Sequence, residues 1–433
     1  MSAGVIIMNK NAIALAADSA VTIGNHLAIH NSANKVFALS KVAPVGVITY
    51  ANATFMDIPI EVIIKQYKHD LGCKKFDKLS EYLEDFLSYL TQNQSLFHFD
   101  QNERNHVLQI IKNLFGGLIG DTQIMLKNEV IKQGRPLNDD ELCSIRKKAL
   151  TLTKSFVNNI PKLENTNFAD QVKERHGTEI KAYLKTTFPY YGENEILQML
   201  DLGCEIFDRA FVRNDFVGLA FSGFGESQIF PSLIHILLTT MINGKIRYII
   251  SEKPEISEKQ FATITPLAQD DVMRSFLTGI HNNFEKNIID EVTPSLVTHI
   301  KRICDNAILQ NNDTLSESLG KVISEAISNA IKKQSESYLA PMINSVVTLP
   351  IEELALLAES MINITSLRRR VALDNNIGTV GGPVDVAVIT KADGLIWIRR
   401  KHFFDRKYNP QYFYSHYMLN EIQELQNGKN ENE

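Results

Sequence analysis

The chain is poor in the features that would narrow its chemistry at once. It has only four cysteines in 433 residues (Cys73, Cys143, Cys204 and Cys304), and no two of them form a CxxC pair. A disulfide framework and a cysteine zinc site are therefore not expected, and a reducing cytosol is the natural setting. No apolar run approaches the ~20 residues that a bilayer span needs, and no basic-then-apolar leader opens the chain. The expectation is a soluble cytoplasmic protein without a membrane partner. Neither charge dominates: 45 Lys and Arg against 50 Asp and Glu leave a formal net charge of −5, which gives no electrostatic case for nucleic acid. The sequence also lacks GxxxxGK[ST], GxSxG, HExxH and any Asp-rich calcium loop. Gly223-Phe224-Gly225 and Gly381-Gly382 open no clear strand-to-helix turn and read as hairpin geometry, not phosphate cradles. His26 and His30 stand four apart with no third ligand near, so they read as a surface pair, and no metal or cofactor is expected.

What is present is a chain with a packed core. Hydrophobic residues make up 44% and charged residues 22%, which excludes wholesale disorder. Two textures alternate. Val, Ile, Ala and Gly dominate from Ser2 to Tyr67, from Phe216 to Gly279 and from Val346 to Phe404. The stretches between are richer in Lys, Glu, Asn, Leu and Ser. The expected organisation is one core in three parts (residues 1–70, 206–284 and 342–433), interrupted by helical insertions over 71–205 and 285–341. Removing both insertions leaves roughly 240 residues, an ordinary domain size. The tail from Asn427 onward reads as disordered.

Local signals support this. Val5–Met8 and Ala12–Ala17 flank a polar break and form a hairpin apolar on both faces, so both faces should be covered. Lys35–Leu39 and Val45–Tyr50 form a second pair, with Pro44 and Gly46 marking the turn. Asn243-Gly244 and Asp393-Gly394 mark two further hairpins. Ile60, Ile63, Ile64 and Tyr67 fall on one helix face, with Glu61 and Lys65 paired at i,i+4 on another. Leu354, Leu357, Ala358, Met361 and Thr365 line a second helix opened by Pro350. In the insertions Leu79, Leu83, Phe86 and Leu90 share a face. So do Val107, Ile111 and Phe115, and Leu319, Val322, Ile323 and Ala326.

The chemistry left to consider sits at the start of the chain. Ser2 is small enough to permit removal of Met1, which would expose a hydroxyl on the residue carrying the free α-amine. That amine has an ordinary pKa of about 7.7–8.0, so it can accept the hydroxyl proton without a histidine. Ser2 opens a strand expected to be buried. The partner strand ends in Ala16-Ala17-Asp18-Ser19, and Lys35 opens the next. A lysine near the amine lowers the pKa of amine and hydroxyl by like charge and desolvation, and Asp18 could keep that lysine protonated. The arrangement is a serine, an α-amine, a lysine and an aspartate.

Ser2-Ala3-Gly4-Val5, then Ala16-Ala17-Asp18-Ser19-Ala20-Val21-Thr22, then Lys35-Val36, resembles the start of a proteasome β-type subunit or its bacterial HslV relative. Thr22-Ile23-Gly24-Asn25 is close to the HslV version of that loop. Gly381-Gly382-Pro383 and the run Val384–Ile389 resemble the family's Gly-Gly turn and the strand after it. The likeness covers the part outside the insertions and is greatest to bacterial proteasome-like proteins of unassigned role. It implies an α+β fold, the four-layer αββα sandwich of N-terminal nucleophile hydrolases, here with two helical insertions. It implies Ser2 as nucleophile, Asp18 and Lys35 as its support, Ala51 or Asn52 at the oxyanion position, and Thr22 and Asn52 beside the substrate backbone. It also implies a polypeptide substrate, a homo-oligomeric ring and an ATP-dependent unfoldase partner.

The sequence departs from the family at named places. Serine stands for threonine at the nucleophile, which keeps the oxygen chemistry. The oxyanion glycine is replaced, and a backbone amide does not need glycine. Val380 stands where a serine should support the amine, with Asp374 and Thr379 as imperfect substitutes, and the counterpart of an earlier serine falls around Thr265 to Gln269. Two alternatives to a peptidase follow: a catalytically inactive proteasome-like scaffold that binds partners through its insertions, and a small-molecule amidase on the same fold.

Overall fold

The computed structural model describes residues 3–23, 28–94, 100–164, 166–213, 216–281, 283–303, 313–371, 380–402 and 404–411. Ser2, the Gly24-Asn25 part of the loop, Asp374 and Thr379 lie outside them. The first block gives β1 (Ala3–Asn9), β2 (Ala12–Ala17), β3 (Val21–Ile23), β4 (Ala28–His30), β5 (Val36–Ala38), β6 (Val45–Ala51) and the short β7 (Thr54–Phe55) and β8 (Ile58–Pro59). Helices α1 (Ile60–Leu71), α2 (Leu79–Gln92), α3 (Asp100–Gln133), α4 (Asp139–Asn159), α5 (Phe168–Thr187) and α6 (Glu193–Glu205) follow. Then come β9 (Val217–Gly223), β10 (Ser232–Ile242), β11 (Lys245–Glu252) and β12 (Ala262–Ala268). The chain continues with α7 (Asp271–Thr278), α8 (Phe284–Ile303), α9 (Asp313–Thr348), α10 (Ile351–Val371), β13 (Asp385–Thr390) and β14 (Gly394–Arg399).

Two five-stranded antiparallel sheets result. Their strand orders are β12-β1-β2-β13-β14 and β11-β10-β9-β6-β5. Side chains alternate across each strand, and here both faces of the central strands are covered. Ile6, Met8, Ile13 and Leu15 of the first sheet meet Ile48, Tyr50, Ala220 and Leu233 of the second between the sheets. On the outer face of the first sheet, Ala3, Val5, Ile7 and the small row Ala12, Ala14, Ala16 pack under Leu354, Ala358, Met361 and Ile362 of α10. The alanines carry no bulk, so the helix seats close to the sheet. The outer face of the second sheet (Val47, Leu219, Phe221, Ile236) is covered by Ile63, Ile64 and Tyr67 of α1 and by Leu83, Phe86 and Leu90 of α2. The layers are thus helix, sheet, sheet, helix, the four-layer αββα sandwich expected from the sequence.

Local chemistry explains the element ends. Helix α1 follows Pro59, has Glu61 in its first turn and stops at Gly72 with φ 56°. Its Glu61 and Lys65 form the i,i+4 pair, 2.6 Å apart on the surface, a contribution of a few tenths of a kcal/mol. The Asn243-Gly244 turn takes φ 48° and 75°, which fits the twist of the β10–β11 hairpin.

Helices α3 to α6 bury a cluster of their own that includes Val107, Ile111, Phe115, Val172, Ile180, Leu184 and Met199. Polar contacts fasten it to the sandwich. The carboxylate of Glu103, wholly buried, accepts from Arg175 Nε at 2.9 Å and from the Asn243 amide at 3.1 Å, and lies 2.8 Å from His176 Nε2. No helix among the described residues is long and apolar enough to cross a membrane.

Candidate active site

Asp18 follows directly on β2, and the β1–β2 register places Gly4 opposite Ala17. Its carboxylate, 1% exposed, is a hub. Oδ1 accepts from the Ala3 amide at 2.9 Å and from Lys35 Nζ at 2.6 Å. Oδ2 accepts from the amides of Ala20 and Gly381, each at 3.1 Å. One carboxylate therefore ties together the start of β1, the turn after β2, the residue before β5 and the loop before β13. Such charge-assisted bonds are about twice as strong as neutral ones, and they satisfy a charge that burial would otherwise make costly.

Lys35 is 4% exposed. Its main chain is fixed by the Thr49 amide donating to its carbonyl at 2.8 Å, and its Nζ donates to Asp18 and, at 2.6 Å, to the Ala20 carbonyl. An ammonium has three N–H donors, so these two acceptors leave one for a further partner. Burial lowers the Lys35 pKa, Asp18 opposes that shift, and the charge of Lys401 adds to the lowering. Lys401 belongs to a second ion pair at the same end of the first sheet. Its amide donates to Asp385 Oδ1 at 2.9 Å and its ammonium bonds the other carboxylate oxygen, while Asp385 pairs with Ala17 across β13 and β2. No local pattern points to this second pair, because Lys401 follows a strand whose alternation does not determine where its side chain goes.

The Gly381-Gly382 turn lies against the same hub. The Gly381 carbonyl accepts from the Ser19 amide at 3.1 Å, in exchange for its own donation to Asp18. Gly382 has φ 77°, and a Cβ there would sit 2.9 Å from Asn31 Cβ, so the turn needs glycine twice over. Val380, just before it, is 1% exposed, and its carbonyl faces the Ser366 hydroxyl at 3.5 Å.

The other candidates lie as follows. Ala51 ends β6 with φ 65°, a left-handed conformation rare for a residue with a side chain and found where a fold fixes a special backbone direction. The Asn52 amide donates to the Phe216 carbonyl at 3.1 Å. Thr22 sits in β3 opposite Ile29. Thr265 is buried in β12 opposite Ile6, and Ala268 stands opposite Ala3 with φ 65°. Ser2 lies outside the described residues. Among these residues the structure brings Asp18, Lys35, Ala3 and the Gly381 turn together.

Tyr50, one residue before Ala51, adds a polar feature that the sequence did not suggest. Its hydroxyl and His235 Nε2 share a hydrogen bond at 2.5 Å, and Glu252 Oε1 lies 3.5 Å from His235 Nδ1. Burial, then Glu252 and Asp270, raises the Tyr50 pKa, so the phenol stays protonated. The ring reaches His235 by crossing Gly218, where a Cβ would fall 2.2 Å from the ring carbons. Gly218→Ala is expected to push the ring off, break this bond and lower stability by ~1–3 kcal/mol. A urea midpoint that does not move would show that the ring tolerates the methyl group.

Among the described residues no group of three or more His, Cys, Asp or Glu side chains is placed to hold a metal. No family model matches the chain. No curated protein matches it either. Among solved structures, similar chains include the Gly-1 mutant of Anbu from Hyphomicrobium sp. strain MC1, at 9% identity and a TM-score of 0.28, covering 98% of this chain and 100% of that one. Another is Anbu, described as an ancestral beta-subunit, from Yersinia bercovieri, at 10% identity and a TM-score of 0.29, covering 96% of this chain and 97% of that one.

Proposed function

We propose that the chain is an N-terminal nucleophile hydrolase that attacks amide bonds with Ser2 after Met1 is removed. The observation that carries the reading is the buried Asp18–Lys35 pair at 2.6 Å, with Asp18 also holding the amide of Ala3. Ser2 is the residue bonded to Ala3, whose amide Asp18 holds. In this reading Ser2 Oγ attacks the carbonyl carbon while the α-amine takes its proton. The tetrahedral oxyanion is met by the backbone around Ala51. Collapse breaks the C–N bond, the departing amine receives the proton, and an ester to Ser2 remains. Water then attacks the ester with the α-amine again accepting the proton, and the acid leaves. Lys35 holds the amine neutral at working pH, Asp18 positions Lys35, and Thr22 aligns the substrate backbone. A polypeptide substrate, a ring assembly and an unfoldase partner belong to this proposal through the resemblance to proteasome-like proteins.

A second reading has specific support. Buried Val380 offers no hydroxyl where the family supports its amine, and all four of the hydrogen bonds to Asp18 also serve to lock the fold. On that reading the chain is an inert proteasome-like scaffold whose pair is structural. Intact-mass analysis with and without a peptide β-lactone separates the two. Loss of Met1 together with one adduct on the Ser2 peptide is the outcome expected for the hydrolase. Retained Met1, or a free Ser2 that no acylating probe labels, establishes the scaffold. Labelling by small acyl probes but not by peptide probes points to the amidase variant of the same chemistry.

A further inference from the structure

Between the loop after β5, helix α1 and the β13–β14 turn lies a cavity of about 520 Å³. Lys41, Lys65, Lys68 and Arg400 all line it, with Trp397 on one wall and Asp393 as its acidic residue. This concentration of positive charge occurs in a chain whose net charge is −5. Little of it is neutralised locally. Lys65 pairs with Glu61 at 2.6 Å, and Asp393 is engaged by the Thr390 hydroxyl at 2.7 Å. Among the described residues Lys41, Lys68 and Arg400 make no ion pair. The Arg400 guanidinium instead lies over the Trp397 ring, 4.5 Å from its centroid, which fixes the fork at the cavity wall.

We propose that this cavity is a binding site for a polyanion carrying two or more phosphate groups, gripped by Lys41, Lys68 and Arg400 with Lys65 at its side. Three observations support it. The Lys68 pKa is lowered by burial, then by Arg400 and Lys41, so these cations repel one another, and an anion would relieve that repulsion. A single carboxylate would balance only part of the charge, whereas a di- or triphosphate group matches it. The volume lies within the range of small-molecule sites and exceeds the needs of a lone ion. Lysine ammoniums as point charges beside a planar arginine fork are the usual means of holding phosphate oxygens. The site shares no residue with the Asp18–Lys35 cluster and stands or falls independently of the hydrolase reading.

The test is calorimetric titration of the full chain with tripolyphosphate, pyrophosphate and ATP at fixed ionic strength. Saturable one-to-one uptake of tripolyphosphate is expected. Lys68→Met and Arg400→Met should each weaken it about 10- to 100-fold, while Lys332→Met, a surface change elsewhere, leaves it unchanged. Melting curves establish that each variant is folded. ATP that competes with tripolyphosphate identifies a nucleotide as a source of the phosphates. Tripolyphosphate binding without ATP binding identifies a bare phosphate chain. Either result upholds the site. No saturable uptake by the folded wild type overturns it, as do equal affinities in wild type and both variants. Uptake of an acidic peptide in place of any phosphate probe also overturns it.

Discussion

Lys35→Met is expected to lower kcat/KM for a peptide-amide substrate by ~10²–10⁴-fold, the range for removing a group that sets up proton transfer, and Ser2→Ala to lower it to background. The size follows from burial. On the proposed mechanism a neutral side chain at position 35 removes the cation assigned to keep the Ser2 amine unprotonated, and it leaves Asp18 charged with one fewer partner. Breaking a buried pair this way costs about 3–5 kcal/mol of stability, so the variant must be compared as folded protein. Lys35→Arg supplies the control, because it keeps the charge and changes the reach.

The pH profile distinguishes catalysis from structure. The rate should rise with pH as the α-amine loses its proton, with a midpoint below its ordinary value of about 7.7–8.0 because Lys35 is cationic. It should fall again as Lys35 deprotonates, at a pH below the ordinary 10.5, since burial lowers its pKa. In Lys35→Arg the falling limb should disappear from the accessible range, because a guanidinium keeps its proton. Stability moves the other way in that window. Between the lowered folded pKa and 10.5 the unfolded chain binds more protons at this site, so the contribution of Lys35 to stability rises with pH while activity falls. A falling limb that persists unchanged in Lys35→Arg would remove Lys35 from the mechanism.

How much of this was legible in the sequence depends on the range of the interaction. Hairpins were legible because turn chemistry and alternation act over a few residues: Asn243-Gly244 sits between the paired β10 and β11, and Asp393-Gly394 leads from the turn after β13 into its partner β14. Amphipathic faces were legible too, but a face does not name what covers it. Leu83 and Phe86 lie on the second sheet, whereas Val107 and Phe115, with the same period, lie in the separate cluster of α3 to α6. Pro266 lies inside β12 and cannot donate to the ladder there. The structure reconciles this by placing β12 at the sheet edge, where a missing N–H is tolerated. At the site, the spacing of Asp18 and Lys35 was visible because a resemblance supplied it. Long-range partners such as the Gly381 amide and Lys401 depend on how distant segments close, which no local pattern encodes.

Arg247 shows the same limit with a large energetic consequence, and its replacement is expected to cost as much stability as breaking the Asp18–Lys35 pair. A cation in β11, it is nevertheless 0% exposed. No carboxylate bonds it among the described residues. Its Nε donates to the Phe207 carbonyl at 2.8 Å, Nη1 to the Thr239 hydroxyl at 2.8 Å, and Nη2 to the carbonyls of Arg209 at 2.7 Å and Phe211 at 3.2 Å. Burial pushes its pKa down to about 10, still high enough to keep the charge near neutral pH. The fork thus clasps the segment after α6 onto the β10–β11 hairpin. Methionine fills much of the space but leaves several buried carbonyls without donors, at ~1–3 kcal/mol each before relaxation. Arg247→Met is therefore expected to cost ~3–5 kcal/mol, a large share of the 5–15 kcal/mol typical of a folded domain. Lysine should rescue little of it, because three donors on one nitrogen cannot span acceptors arranged around a planar fork. Hydrogen exchange should show the amides of residues 206–211 opening first, with β1 and β2 still protected. If both variants unfold at the wild-type urea midpoint, Arg247 does not hold this segment to the hairpin.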